Sequence, residues 1–401
     1  MVSKQKVIID TDPGVDDILA MLLAFSATPE ELEVLLISLT FGNIDVPNCL
    51  RNAISLFHTI EKELAWRQKH GKEQGFETLR SLKPIVAVGA EEPLADQRMM
   101  ADYFHGFDGL GGIHSSHPHL TPAETWKALF DRARKSDKPE EAAIAEELQE
   151  ADPIFKPSNE RAHKEMLRLL RENEKDTITI IAIGPLTNCA LAAAEDPETF
   201  LRVKEVVVMG GTSLLHRQKV SANPPPPFLK PYPESLSRQL KVVLFPLDIT
   251  HRHEMKRGQV TEAVKPLAEA GSPLAEWVSA FLTSTFAKIE SLSAGQSGDA
   301  VGLALHDPLC VWYAMTVDDP KWKIKEGEDM RIETSGQWTR GMCVVDRRDR
   351  RQRDADDGEG EVPGDTGNWL GADAGNRIGR CVETPGEKLF ASYLLRRVFG
   401  V

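Results

Sequence analysis

The chain has 401 residues, 41% of them hydrophobic, and its 61 Asp and Glu outnumber 48 Lys and Arg to leave a formal net charge of −13. That balance argues against nucleic acid or an anionic membrane as the main partner and favours a neutral or cationic substrate, or a bound cation. Five cysteines without a C-x-x-C spacing indicate neither a disulfide framework nor a zinc knuckle, and no run approaches the roughly 18 apolar residues of a membrane span, so a reduced, soluble cytoplasmic protein is expected.

Val7-Ile8-Ile9 reads as a buried strand that ends in four carboxylates within eight residues: Asp10, Asp12, Asp16 and Asp17. Pro13-Gly14 makes the turn. From Val15 the apolar positions Ile18, Leu19, Leu22 and Leu23 take helical spacing, which puts Asp16 and Asp17 in the first turn of a helix. Capping and the helix dipole account for one or two of these acids, not for four. Crowded carboxylates repel unless protons or a cation compensate, and an all-oxygen set suits a hard cation, Ca²⁺ or Mg²⁺. The carboxyl end of a strand is also where open α/β sheets bind ligands.

Glu33 to Thr40 reads as a second strand running into Phe41-Gly42-Asn43, and Pro47 to about Arg67 as a helix. Gly71 to Ser81 is a polar connector before a third strand, Lys83 to Gly89. A loop rich in Gly and His spans His105 to His114, with His117 and His119 beyond. No Cys or regular i,i+4 pairing supports zinc there, and a loop over the acidic site with His105 facing substrate is the reading preferred to an inert surface loop. Residues 123–176 are dominated by charged helix formers broken by prolines, the pattern of a peripheral helical insertion. Thr177 to Gly184 and Glu205 to Gly211 return as strands around an Ala-rich helix. Ser221 to Pro233 is too rich in proline for helix or central strand, and Lys241 to Thr250 reads as a strand followed by His251, His253 and two amphipathic helices. His306-Asp307-Pro308 then opens an apolar helix with Pro at its first position. Further strands follow Lys321, residues 347–363 form a charged, flexible loop, and Gly386 to Phe399 is a closing helix. Strands alternating with helices imply an α/β fold: a mostly parallel central sheet with helices on both faces, forming a single domain without repeats.

Taken together, Asp10 to Asp17 (DTDPGVDD), Phe41-Gly42-Asn43, the GPLTN that follows a strand, Met209-Gly210-Gly211, the PLDIT run and His306-Asp307 resemble the inosine-uridine preferring nucleoside hydrolases, from Lys6 to about Asp318. The tail resembles extended fungal-type members. The resemblance implies a Rossmann-like fold, nucleoside substrates, homo-oligomers, and Ca²⁺ held by Asp12, Asp17, Asp307 and the main-chain carbonyl of Ile183. It further implies that Asp12 is the water-activating base, that Asp16 and Asn43 hold the ribose hydroxyls, and that His306 stands near the leaving base. Elementary chemistry agrees. N-glycosidic cleavage builds positive charge on the sugar, and an acidic site stabilises it. His306 is expected to donate a proton, its pKa held up by neighbouring acids.

The sequence departs from the family after Gly211. An Asn- and Glu-bearing sugar-binding segment is replaced by residues 212–239, in which Asn223 is the candidate to stand in for the first Asn. Two competing readings follow: a calcium- or nucleoside-binding relative without turnover, and a haloacid-dehalogenase-like phosphatase in which Asp10 is the nucleophile and Asp12 the acid.

Overall fold

The computed structural model describes residues 4–94, 98–130, 153–211, 240–293, 295–333, 342–346, 364–365, 367–371 and 375–401. Asn223 with the Pro-rich stretch, the charged run 347–363 and residues 131–152 of the helical insertion lie outside them. Strand β1 (Gln5–Thr11) leads to helix α1 (Val15–Phe25), β2 (Leu32–Leu39), α2 (Val46–Lys69), β3 (Ile85–Val88) and β4 (Lys156–Pro157). Next come α3 (Ala162–Glu172), β5 (Ile178–Ala182), α4 (Thr187–Glu195), β6 (Glu205–Met209) and β7 (Val242–Phe245). The remainder is β8 (Glu254–Lys256), α5 (Arg257–Glu269), α6 (Pro273–Leu292), β9 (Gly302–Ala304), α7 (His306–Met315), β10 (Lys323–Ile332), β11 (Cys343–Val345), β12 (Arg377–Glu383) and α8 (Glu387–Phe399).

Ten strands form one sheet in the order β11-β10-β12-β7-β6-β5-β1-β2-β3-β4. From β12 to β4 every neighbouring pair is parallel, whereas β10 runs antiparallel to both β12 and β11. The chain first moves outward from β1 through β2, β3 and β4, then returns to the other side of β1 with β5. The strand order therefore reverses at β1, and such a reversal leaves a crevice at the carboxyl ends of the strands. Side chains alternate across the sheet, so β1 feeds two cores: Val7 and Ile9 pack with α1 and α7, Ile8 with α3 and α4. Burial on both faces is why these strands read as continuous apolar runs rather than alternating ones.

The helix starts are set locally. The Asp45 side chain accepts the N–H of Asn48 at 2.9 Å ahead of Pro47, and the Ser272 side chain accepts that of Ala275 ahead of Pro273. Several sequence expectations change. The connector at 71–81 contains a short helix, Glu77–Leu82. The strand expected to reach Thr250 stops at Phe245, because Pro246 has no N–H for the ladder, and Leu247–Thr250 is a helical turn. Helix α7 starts at His306, which places Pro308 third rather than first; its missing N–H costs nothing anywhere in the first turn. Residues 156–157 add the edge strand β4, and α3 buries Met166, Leu167 and Leu170 against the sheet, so the end of the 123–176 segment belongs to the core rather than the periphery. Strand β12, between β7 and β10, was not expected from Arg377 to Glu383, whose charges interrupt the apolar pattern. Among the described residues no helix is long and apolar enough to cross a membrane.

Candidate active site

The acids converge because β1 ends where α1 begins, at the strand-order reversal. Asp17 organises the turn. Its Oδ1 accepts the Thr11 hydroxyl at 2.6 Å and the Asp12 N–H at 3.2 Å; its Oδ2 accepts the Gly14 N–H at 3.1 Å and the Asn43 side-chain amide at 2.8 Å. Asn43 arrives from the end of β2. Its backbone N–H donates to Asp12 Oδ2 at 2.6 Å and its side chain also donates to the Asp12 carbonyl at 3.2 Å. The other Asp12 oxygen, Oδ1, is buried with no hydrogen-bond partner. Close backbone passes make room for this carboxylate: a Cβ would come within 2.0 Å of Asp12 Oδ2 at Gly42 and 2.8 Å of Asp12 Oδ1 at Gly184.

Asp16, Asp17 and Asp307 present oxygens that all lie within 4.8 Å of one another. Asp307 comes from the first turn of α7, far along the chain. Burial, then the charge of Asp17, pushes the Asp12 carboxyl well above the ordinary carboxylate range. Burial, then Asp17, raises Asp16 to about 7, and burial with the charges of Asp16, Asp17 and Asp12 raises Asp307 well above its usual value. Removed from water without a counter-charge, these groups hold protons that a cation would replace.

Asp16 and Asp307 form one wall of a cavity of about 440 Å³, with Asp12 and Asp17 behind them. Asp16, Asn43, Ile183 and Asp307 line it together with His105, His251 and His306. Met209, Leu247, Phe104 and Ile289 add apolar surface. The His306 Nδ1 lies 2.7 Å from Thr250 Oγ1, and the ring meets His251 edge-on with centroids 4.8 Å apart. Burial, with smaller contributions from His251 and His105, lowers the His306 pKa to about 3. This corrects the expectation that neighbouring acids hold it up: burial disfavours the imidazolium, and His251 and His105 act in the same direction. His105 accepts the N–H of Val15 on its Nδ1 at 3.3 Å, and burial lowers its pKa to about 4.

Most of the residues singled out from sequence therefore meet here: Asp12, Asp16, Asp17, Asn43, Ile183, His306 and Asp307. The structure groups Asp16 with Asp17 and Asp307, and Asp12 joins them through Asp17. Asn223 lies outside the described residues. Asp10 belongs elsewhere. It is fully buried on the Ile8 face of β1, toward α3 and α4, accepting from Ser38 Oγ at 2.5 Å and Asn188 Nδ2 at 2.9 Å, with Cys189 Sγ at 3.9 Å. Both of its oxygens are engaged by these partners, so none is free to attack a substrate, and the phosphatase reading falls. His253 is likewise structural, held by the Ile249 carbonyl and Thr384. Sequence reasoning missed Thr250 and the placement of His251 beside His306, for which no local spacing gives a signal.

The model of the inosine-uridine preferring nucleoside hydrolase family matches residues 7–224 and 232–362, beyond the Asp318 limit of the motif resemblance and interrupted only within the Pro-rich run. The chain is 29% identical to an uncharacterised protein of Schizosaccharomyces pombe, over 85% of this chain and 89% of the relative. It is 29% identical to the pyrimidine-specific ribonucleoside hydrolase RihA of Klebsiella pneumoniae, over 84% of this chain and 87% of the relative. Among solved structures its fold matches a plant nucleoside hydrolase, with TM-score 0.65, 23% identity and 99% of both chains covered. It also matches a purine-preferring ribonucleoside hydrolase of Gardnerella vaginalis, with TM-score 0.64, 20% identity and coverage of 99% of this chain and 98% of that one. With the family model spanning nearly the whole chain, the protein belongs to the inosine-uridine preferring nucleoside hydrolases and is an N-glycosidase.

Proposed function

We propose that the protein hydrolyses the N-glycosidic bond of ribonucleosides to ribose and free base, in a calcium-dependent reaction with Asp12 as general base. One observation carries this reading: a fully buried carboxylate, with one oxygen unpartnered and its pKa raised, stands beside three further acids at the strand-order reversal. The donors fit a hard cation, being all oxygen and crowded together without a counter-charge. Asp12, Asp17, Asp307 and the Ile183 carbonyl are the groups that would hold it. When bound, Ca²⁺ supplies Lewis-acid activation of a water and orientation of the ribose diol.

Asp12 takes the proton from the attacking water on its free Oδ1. Asp16 accepts from a ribose hydroxyl. The side-chain amide of Asn43 is committed to Asp12 and Asp17, so its Oδ1 is the atom left to accept from a second hydroxyl. The carboxylates together stabilise the oxocarbenium-like charge. His306, being neutral, hydrogen-bonds the departing base instead of acting as an imidazolium. With no covalent nucleophile in this arrangement, water displaces the base directly and the anomeric centre inverts.

The test is ribose release from inosine and from uridine by the purified protein. Release that stops on chelation and returns with Ca²⁺ supports the reading; release indifferent to chelator refutes the metal. The break in the family match at residues 225–231 favours one other reading, binding without turnover. Bound ribose without base release from any nucleoside would select it.

Glycine at position 42 is a further check on geometry. A Cβ there would also lie 2.7 Å from Pro185 Cδ, so it cannot retreat and must displace the Asp12 carboxylate. Gly42→Ala is expected to lower kcat/KM on the order of 10²-fold, the usual consequence of misplacing a reacting group by about 1 Å. Steady-state kinetics on a variant with unchanged circular dichroism will decide, and a rate within twofold of the parent would show that the carboxylate tolerates the shift.

A further inference from the structure

Asn52, in the second turn of α2, is fully buried and is not used by the chemistry above. Its side-chain amide donates to two carbonyls, that of Pro13 in the acidic turn and that of Asp108 in the glycine-rich loop, each at 2.8 Å. Two carbonyl neighbours fix which end of the amide is NH₂, so Oδ1 must accept from His114 Nε2, 2.7 Å away. His114 Nδ1 then accepts from the Thr121 hydroxyl at 2.9 Å. Each polar atom of the Asn52 amide is thus engaged, and neither Asp nor Leu of similar size offers the same two donors and one acceptor.

The loop is built to be held at that point. The Asp108 carboxylate accepts the N–H groups of Leu110 at 3.0 Å, Gly112 at 2.8 Å and His114 at 3.1 Å, folding the loop on itself. Gly109, at φ +79°, passes so close that a Cβ would stand 2.9 Å from Asn52 Nδ2 and 2.6 Å from Ile44 Cδ1. The Gly111 N–H returns to the His105 carbonyl at 2.8 Å, which transmits the placement to the residue that faces the cavity beside His306.

We propose that Asn52 is a positioning residue: by tying the Pro13 carbonyl to the Asp108 carbonyl it holds the 105–114 loop against the acidic turn, so that His105 stands on the leaving-base side of the cavity. The proposal rests on the nucleoside hydrolase reading. Loosening this tie leaves Asp12, Asp17 and Asn43 joined by their own hydrogen bonds, so the sugar side survives while the leaving-group side is displaced.

The experiment compares Asn52→Asp, which keeps the shape but removes both donors, with the parent on two substrates, inosine and p-nitrophenyl riboside. The nitrophenolate departs without needing help from a protein donor. The expected result is a fall in kcat/KM of about 10²-fold on inosine and only about threefold on the nitrophenyl substrate, the size set by misorientation of one group. Amide hydrogen exchange is measured in parallel. Leu110, Gly112 and His114 are expected to exchange faster in the variant, with β1 and β5 unchanged. Equal losses on both substrates, or unchanged exchange in the loop, would overturn the proposal. If the parent cleaves neither substrate, the hydrolase reading fails by itself and the exchange data alone decide whether Asn52 holds the loop. Asn52→Ser, which keeps one weaker donor, replaces the Asp variant in the same measurements if that variant does not fold.

Discussion

Replacing Asp12 with Asn is expected to lower the rate of ribose release by roughly 10³- to 10⁴-fold, near the upper range for loss of a general base. The substitution is nearly isosteric. The amide oxygen can still accept the Asn43 N–H that now bonds Asp12 Oδ2, so the β1 to β2 connection at the site is retained. What disappears is the proton acceptor at the unpartnered Oδ1, along with one negative charge facing the developing positive sugar. An NH₂ in that position would also turn a donor toward Gly184 and the neighbouring acids, where only an acceptor is useful. Asp10→Asn is the matching control: Asp10 is held by Ser38, Asn188 and Cys189 and does not line the cavity, so the variant should retain most of the activity. A coupled reducing-sugar assay at saturating calcium measures both. An Asp12→Asn rate within tenfold of the parent would remove Asp12 from the role of base.

The metal-free protein is expected to lose thermal stability as pH rises from about 4 to about 7, and calcium to restore it. Burial raises the Asp10 carboxyl from 3.8 to about 6, and burial with the charge of Asp17 raises Asp16 to about 7. A carboxylate whose folded-state pKa is raised binds its proton more tightly in the native chain than in the unfolded one. Its contribution is complete below the unfolded value and is lost by the time pH passes the folded value, so the melting temperature should fall above 3.8 and level off near 6 for Asp10 and near 7 for Asp16. Calcium replaces the protons of the Asp12, Asp16 and Asp307 cluster but not that of Asp10, which Ser38, Asn188 and Cys189 hold. With calcium the decline that extends to about 7 should vanish, while the shallower part that ends near 6 persists. At calcium about a hundredfold above its dissociation constant the linkage is worth about 2.7 kcal/mol, on the order of 3 °C for a chain of this size. Because protons compete for the same oxygens, calcium should also bind more tightly at pH 8 than at pH 6. Differential scanning calorimetry with chelator, Ca²⁺ or Mg²⁺ at several pH values tests all of this. A melting temperature blind to millimolar calcium at pH 8 would mean that the cluster does not hold a cation.

Much of the site was legible before any coordinates because its densest part is local. Asp12, Asp16 and Asp17 sit within one strand-to-helix turn, and the spacing of apolar residues on either side dictates that turn. Gly14, Gly42 and Gly184 are small for a reason that emerges only in space, since each allows backbone to pass a carboxylate or an imidazole at a distance that no Cβ permits. The His306 pKa was misjudged in direction for a related reason. Sequence places it next to Asp307, but its environment is set by burial and by His251 and His105, which approach from two other segments. Strand β12 and the core role of α3 escaped notice because interrupted or charged patterns are ambiguous until a partner surface is known.

By itself, the sequence determined the α/β alternation, the acidic strand-end turn and the family, since each depends on residues close enough along the chain for backbone periodicity and turn chemistry to set their relative positions. Only the tertiary structure decided which acids share a site, that Asp10 is excluded from it, that three imidazoles face it with their pKa values lowered by burial, and that Asn52 ties the loop to the turn. Those outcomes depend on strand order and desolvation. Parallel packing of β1 between β2 and β5 brings Asn43 and Ile183 to the same crevice, α7 delivers Asp307 from far along the chain, and burial then sets which groups keep their protons.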